Sequence, residues 1–282
     1  MQNRYPLALA MLVPALFSAE GMSVPADAEQ IAPVSVAAVA ATQFVVKLGN
    51  GRVLRSPQLV GAVLTVSLGG KPVRLRIDAV EPDPGDPARG MPASPDVWLH
   101  SLSIVASDGS RSNVCEAGPD GRHQAFPLAG RARPDGTIEP GDPGDFVLTC
   151  TGGAEGKCVR FGYHPWATLP DGSPMLPFYN ACVHLVRADY AGDDHATTRN
   201  GQPIDIYDTY GIQKPANDPR YAFEAGWTAD GAVCVNHVRV KDNATLEALA
   251  EQTPRLAGRL GDVCTEAFAR AHGAVLFVRS PR

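Results

Sequence analysis

The densest set of chemically capable side chains lies between residues 187 and 210, where carboxylates, an imidazole and two arginines fall close together. Asp193, Asp194 and His195 are consecutive and follow Gly192, as in an exposed loop. Carboxylates and imidazoles bind metal ions or transfer protons. The candidate catalytic residues are therefore Asp189, Asp194 and His195, and the candidate metal ligands are Asp193 and Asp194.

Asp189 also has a structural interpretation, which we favour. It lies seven residues after Cys182 and four after Leu185, so a helix that reached it would place its carboxylate on the apolar face. A buried carboxylate must be paired or hydrogen-bonded. Asp189 would then accept N–H bonds from the following loop or pair with Arg199. His184, on the polar face of the same helix, is expected to be solvated.

Signatures of the common enzyme classes are missing from the sequence. There is no G-x-S-x-G elbow, no H-E-x-x-H pair, no Walker A loop and no G-x-G-x-x-G after a strand. Calcium suits loop carboxylates in an exported protein, but the D-x-D-x-D spacing of a calcium loop is also missing. We therefore expect no cofactor, with calcium as the ion to consider.

A short aromatic run, Tyr163-His-Pro-Trp166, follows a predicted hairpin. Such residues can line a pocket, although aromatic side chains at a hairpin end more often belong to the core or cap it. The second interpretation is favoured here.

Six cysteines follow residue 100 and none forms a C-x-x-C pair, which favours disulfides over a zinc or thioredoxin-like site. Cys150 and Cys158 flank a glycine-rich turn between two apolar segments and are predicted to bond to each other. The remaining four are predicted to pair in an order that the sequence leaves open: Cys115, Cys182, Cys234 and Cys264.

The amino terminus has the pattern of a secretory signal peptide over residues 1–28. Arg4 precedes an apolar segment that ends at Phe17, and Ala26-Asp27-Ala28 is a candidate cleavage site. The apolar segment is too short to span a bilayer, so no transmembrane anchor is expected. The net charge of −5 and the lack of a Lys/Arg cluster argue against nucleic acid as a partner. We expect a periplasmic or secreted protein with an envelope or extracellular ligand.

Composition and pattern predict a mainly β (α+β) fold of antiparallel strands and hairpins with a few short helices. The 28 glycines and 25 prolines interrupt helices and mark turns. Predicted hairpins include 62–77 and 221–240, and helices are predicted over 177–189, after Asp242 or Asn243, and over 262–271. The predicted organisation is a signal peptide, a linker over 29–41, a β-rich region over 42–140 and a final domain over 141–282.

Several short motifs occur in order between residues 144 and 240: Cys150-x7-Cys158 continuing to Trp166, Ala181-Cys182 leading to Arg187-Ala-Asp-Tyr190, Gly192 to Gly201, Pro203 to Asp208, and Phe223 to Trp227 before Cys234. Together they resemble the bacterial ADYC domain family. The motif that names the family ends in cysteine, whereas Ala191 stands here. The resemblance implies export and disulfides, with one structural disulfide lost, but it implies no activity.

Two functions remain open from the sequence. The favoured expectation is a non-enzymatic extracytoplasmic module that binds an envelope ligand, because abundant loops on a disulfide-braced scaffold are typical of binding proteins. The alternative is a hydrolase or metal-dependent enzyme that uses Asp189, Asp193, Asp194 and His195.

Overall fold

The computed structural model describes residues 10–11, 34–68, 71–118, 120–216 and 218–282. It is mainly antiparallel β-sheet, with four short α-helices and three disulfides, as the sequence predicts. The chain divides into two compact units: the first contains residues 1–85, 93–132 and 138–156, and the second contains residues 86–92, 133–137 and 157–282.

The first unit consists of β-strands: β1 Ala10–Met11, β2 Val34–Ala40, β3 Gln43–Leu48, β4 Val53–Arg55, β5 Val63–Leu68, β6 Lys71–Asp83, β7 Ser94–Val105, β8 Arg111–Asn113, β9 Gln124–Ala129, β10 Arg131–Ala132, β11 Ile138–Glu139 and β12 Phe146–Cys150. A seven-stranded sheet has the order β1-β12-β9-β7-β6-β5, with β8 beside β7. A three-stranded sheet contains β2, β3 and β4, and β10 pairs with β11.

Alternation along β6 determines which side of the large sheet is buried. Leu75 and Ile77 are almost fully buried, whereas Arg76 and Asp78 between and beyond them are partly exposed. The apolar side packs with Leu102 and Phe44 in the core of this unit. The opposite side of β6, β7 and β8 therefore carries polar side chains.

The second unit contains most of the helical residues. The boundary between the units falls within α1, Ala154–Arg160, and the later elements are α2 Leu176–Arg187, β13 Asp205–Asp208, β14 Ala222–Thr228, β15 Gly231–Val235, α3 Leu246–Gln252, α4 Glu266–Ala271 and β16 Leu276–Ser280. Its sheet has the order β13-β16-β14-β15. Trp227, Tyr207 and Phe277 are buried in this unit.

The predicted linker over residues 29–41 is a strand from residue 34 onward. β2 pairs with β3 through a two-residue turn at Ala41 and Thr42, and Ala41 has a φ of 52°. Valine favours extended backbone, and the turn contains no glycine or asparagine that would have indicated a hairpin. The interpretation as a linker was therefore wrong for this part.

The predicted bond between Cys150 and Cys158 is also wrong. Cys150 bonds to Cys115, Cys158 bonds to Cys182, and Cys234 bonds to Cys264. The glycine-rich segment leads from β12 into α1 and not into a second strand. Cys158 thus lies on a helix and its sulfur reaches α2.

The predicted signal peptide lies largely outside the described residues. Its described part is β1, which pairs with Phe146 and Val147 of β12. Among the residues that the structure describes, no helix is both long enough and apolar enough to cross a membrane.

Candidate functional site

The polar segment begins where α2 ends. Ala188 adopts the left-handed conformation, with φ 49°, and its N–H donates to the carbonyls of His184 and Leu185. The helix therefore stops at Arg187, two residues before the predicted end, and Asp189 is the first residue of the following loop. Its N–H still bonds to the His184 carbonyl at 2.9 Å.

Asp189 is fully buried and both of its carboxylate oxygens accept hydrogen bonds. The backbone N–H groups of Gly192, Asp193 and Asp194 donate at 2.9, 3.2 and 3.0 Å, and His184 Nδ1 lies 3.0 Å from Oδ2. Burial raises the pKa of Asp189, but the bonds and charge of His184 and the loop N–H groups outweigh it, so the pKa lies below its usual value. The backbone of residues 192–194 therefore wraps around the Asp189 carboxylate.

His184 is fully buried, so the expectation that it is solvated was wrong. Its Nδ1 faces the Asp189 carboxylate and its Nε2 lies 3.2 Å from the carbonyl oxygen of Ala229. Both ring nitrogens of His184 therefore lie beside hydrogen-bond acceptors. The helix face that carries His184 packs inside the unit because β14 contacts α2.

The side chains of the other predicted site residues do not bond to the Asp189 carboxylate. Asp193, Asp194 and His195 are exposed. Asp194 pairs with Arg187 at 2.6 Å, and Asp193 accepts the N–H of His195 at 3.2 Å. Within the described ranges, no group of three or more His, Cys, Asp or Glu side chains is arranged to hold a metal ion.

Arg199, the alternative partner of Asp189, pairs with Asp242 at 2.7 Å. Of the two structural roles considered for Asp189, the structure therefore shows the bonds to the following loop.

A second carboxylate, Asp208 at the end of β13, folds a loop in the same way. It accepts N–H bonds from Tyr210, Ile212 and Gln213 at 2.8, 3.2 and 2.7 Å, and the Tyr163 hydroxyl donates at 3.0 Å. Burial and the nearby Asp208 charge raise the pKa of Tyr163 well above its usual value. Tyr163 is thus a core residue, as favoured from the sequence. The loop that carries Tyr210 is held by its N–H bonds to the Asp208 carboxylate.

A buried ion pair that was not predicted from the sequence joins Arg239 and Glu224. Arg239 donates to Glu224 through Nε at 3.1 Å and Nη2 at 3.0 Å, and the Tyr190 hydroxyl donates to Glu224 at 2.9 Å. Arg239 also donates to the carbonyls of Leu185 and Val186, at the end of α2. Each of the two charged residues is flanked by apolar residues in the sequence, and Arg239 stands between two valines. That pattern was the signal that could have indicated the pair.

Two aromatic side chains of the second unit remain exposed, and both adjoin the segment between Tyr163 and α2. The Trp166 ring stacks on His164 with ring centroids 4.9 Å apart and planes 9° from parallel, and it is 36% exposed. Tyr210 is 42% exposed, packs edge-on against Phe178 and donates its hydroxyl to Asp171.

A small hairpin connects the neighbourhoods of these two rings. Met175 N–H bonds to the Ala167 carbonyl at 3.0 Å, and Leu169 N–H bonds to the Ser173 carbonyl at 2.8 Å, with Asp171 at the tip. Trp166 thus lies at the base of the hairpin, and Tyr210 contacts its tip. We call these residues the aromatic surface: His164, Trp166, Asp171 and Tyr210.

The fold and these sites define a disulfide-braced, β-rich protein whose buried carboxylates organise its loops. A family model described as the ADYC domain matches residues 56–241, and the chain belongs to that family. No curated protein and no solved structure matches the chain. The match begins at residue 56, whereas the motifs that carry the resemblance lie between residues 144 and 240, so the match also includes much of the first unit.

Proposed function

We propose that this protein is an exported, non-enzymatic binding module of the cell envelope that contacts a neutral polysaccharide through the aromatic surface. The observation that carries the proposal is a pair of exposed aromatic rings, each fixed in orientation by a second ring. The predicted leader and the three disulfides support export, because disulfides persist in oxidising compartments.

Ring faces of tryptophan and tyrosine suit the C–H face of a sugar ring. An aromatic face carries partial negative charge, which attracts C–H groups, and it removes apolar surface from water. His164 covers one face of Trp166, and Phe178 contacts Tyr210 edge-on. Because these contacts hold the rings in place, binding would cost less side-chain entropy than at two mobile rings.

Asp171 supplies a polar group beside Tyr210. Its hydrogen bonds from the Ser173 side chain and then from the Tyr210 hydroxyl lower its pKa to about 2, so it is ionised at neutral pH. An ionised carboxylate accepts hydrogen bonds from sugar hydroxyls and repels acidic chains. The ligand that fits is therefore neutral.

The spacing of the two rings favours an extended chain over a single sugar. Asp171 lies four residues beyond Ala167 along the hairpin, which corresponds to up to about 13 Å at the rise of an extended strand. A ligand that contacts both rings would have to reach from the base of the hairpin to its tip.

Co-sedimentation with three neutral insoluble polysaccharides, cellulose, chitin and β-1,3-glucan, tests the proposal. We expect the wild-type chain to bind at least one of them, and Trp166→Ala and Tyr210→Ala each to weaken binding by roughly tenfold. Val263→Ala, at another exposed apolar residue of the same unit, is the matched control. The proposal fails if the wild type binds none of the three, or if the two aromatic variants bind as the control does.

The alternative enzymatic function lacks a supporting arrangement. Asp189 is occupied by loop N–H groups and His184, and the Asp194 carboxylate is paired with Arg187. A metal-dependent or hydrolytic site at these residues would first have to break contacts that fold the loop.

A further inference from the structure

An open polar cleft lies on the first unit, on the polar side of β6, β7 and β8. It has a volume of about 360 Å³ and is lined by Asp78, Ser103, Arg111, Ser112 and Asn113. In the sheet register Ser103 lies directly opposite Arg76 on one side and Asn113 on the other. The cleft therefore contains a row of polar side chains across three strands.

Ser103 is the unusual member of this row. The residue is only 4% exposed, and its hydroxyl has no hydrogen-bond partner in the part of the chain that the structure describes. Buried hydroxyl groups are nearly always paired, so an unpaired one that lines a cleft indicates a missing partner. A ligand in the cleft would supply that partner.

The charged side chains of the cleft, Asp78 and Arg111, are adjacent, and their hydrogen-bonding capacity is only partly filled. Oδ1 of Asp78 accepts both Arg76 Nε at 3.1 Å and Arg111 Nη1 at 3.2 Å. Among the described residues, Asp78 Oδ2 and Arg111 Nη2 have no hydrogen-bond partner. The cleft thus offers one free carboxylate oxygen and one free guanidinium nitrogen on neighbouring side chains.

We propose that this cleft binds the zwitterionic headgroup of a free α-amino acid. The ammonium group would face Asp78 and the carboxylate would face Arg111, with Ser103 at the floor as a further partner. A bare anion would meet the Asp78 charge, and a bare cation would meet two arginines. A ligand with both charges side by side gives an opposite charge to each of the two free atoms, Asp78 Oδ2 and Arg111 Nη2.

An NMR titration of the full chain tests this assignment, with glycine, L-alanine and L-serine as zwitterions and with acetate and methylammonium as single-charge probes. We expect the amide signals of Ser103 and Asn113 to shift with the zwitterions, and the single-charge probes to bind at least tenfold more weakly. Asp78→Asn and Arg111→Gln should each weaken zwitterion binding by about tenfold.

Arg122→Gln is the matched control, because Arg122 forms a similarly exposed ion pair with Glu81 in the same unit. It should bind the zwitterions as the wild type does. The assignment is wrong if no zwitterion shifts these signals, if acetate binds as tightly, or if Arg122→Gln weakens binding equally. Failure here would leave polysaccharide binding untouched, because Trp166 and Tyr210 belong to the second unit.

Discussion

Asp189 and Asp208 show how this chain uses buried carboxylates at the scale of single residues. Each lies at or just beyond the end of a regular element and accepts hydrogen bonds from the N–H groups of the next few residues, so that an irregular loop has its backbone donors satisfied. Loops stabilised from within in this way can present exposed side chains such as Tyr210 in a fixed position.

Replacing Asp189 should destabilise the protein far more than replacing Asp194. Asp189→Ala leaves three buried or half-buried donors and His184 without their acceptor, at a cost of about 2 kcal/mol or more in the free energy of unfolding. Asp194 is exposed, so Asp194→Ala should cost less than about 1 kcal/mol. Thermal unfolding at pH 7 compares the two, and equal melting temperatures would contradict the structural role of Asp189.

The contribution of the Asp189 charge should also depend on pH. Its pKa in the folded state is lowered, so the charge stabilises the fold above the unfolded pKa of about 4, and this stabilisation is lost as pH falls through the folded pKa. The difference in melting temperature between wild type and Asp189→Asn should therefore shrink from pH 7 to pH 3. A difference that is constant or grows toward pH 3 would show that the charge is not involved.

The sequence predicted the burial and loop bonds of Asp189 from its helical spacing, but it did not predict the position of His184. Helical periodicity separates one face of α2 from the other, and here both faces are buried because the helix packs within the unit. Asp205 and Asp208 are buried as well, and no local pattern indicated that. Partners far along the chain, such as Ala229 and Tyr163, determine these environments.

At the scale of elements, α2 is joined to the rest of its unit at its C-terminal end. Arg239 donates to the last carbonyls of the helix and is paired there with Glu224, both of them almost fully buried. A cation at this end also opposes the partial negative charge of the helix C-terminus. The helix is thus connected to β14 through charges as well as through apolar contacts.

Glu224→Gln should therefore be strongly destabilising. It leaves the buried Arg239 charge without a counter-ion, and removing one partner of a buried pair costs about 3–5 kcal/mol. Asp242→Asn, which breaks the exposed pair with Arg199, should cost less than about 1 kcal/mol. Chemical denaturation gives both free energies, and similar values would mean that the buried pair contributes little.

Most elements were predicted within a few residues of their observed bounds, and the errors have local causes. The hairpin of β14 and β15 and the helix α2 follow from turn residues and periodicity. The strand β2 was missed because its turn lacks the usual residues, and α1 was missed because the glycines around it resemble a strand turn. The order of strands in each sheet depends on pairing between distant segments, so local sequence patterns did not predict it.

At the scale of the whole molecule, the family match covers parts of both units. Residues 56–241 include strands of the first unit and the aromatic surface of the second, so the polar cleft and the aromatic surface both lie within the matched region. The division at residue 140 that we expected from the sequence does not coincide with the boundary within α1.

Export predicts a shortened amino terminus. Amino-terminal sequencing of protein from its native host should find a start between about residues 20 and 30, as signal peptide lengths imply. Such a cleavage would remove β1 and leave β12 as an edge of the seven-stranded sheet. Material isolated from the cytoplasm of the same cells is the control, and an intact Met1 on the mature protein would contradict export.

The order of the disulfides has a consequence for how the chain matures. Cys115 bonds to Cys150, Cys158 to Cys182, and Cys234 to Cys264, so the cysteines pair consecutively along the chain, and each pair is complete before the next pair begins. A thiol oxidase that joins cysteines in the order in which they leave a translocation channel would produce this pattern without error. Maturation would then require no isomerase to reshuffle mispaired bonds, and each unit would acquire its own covalent bracing as it emerged.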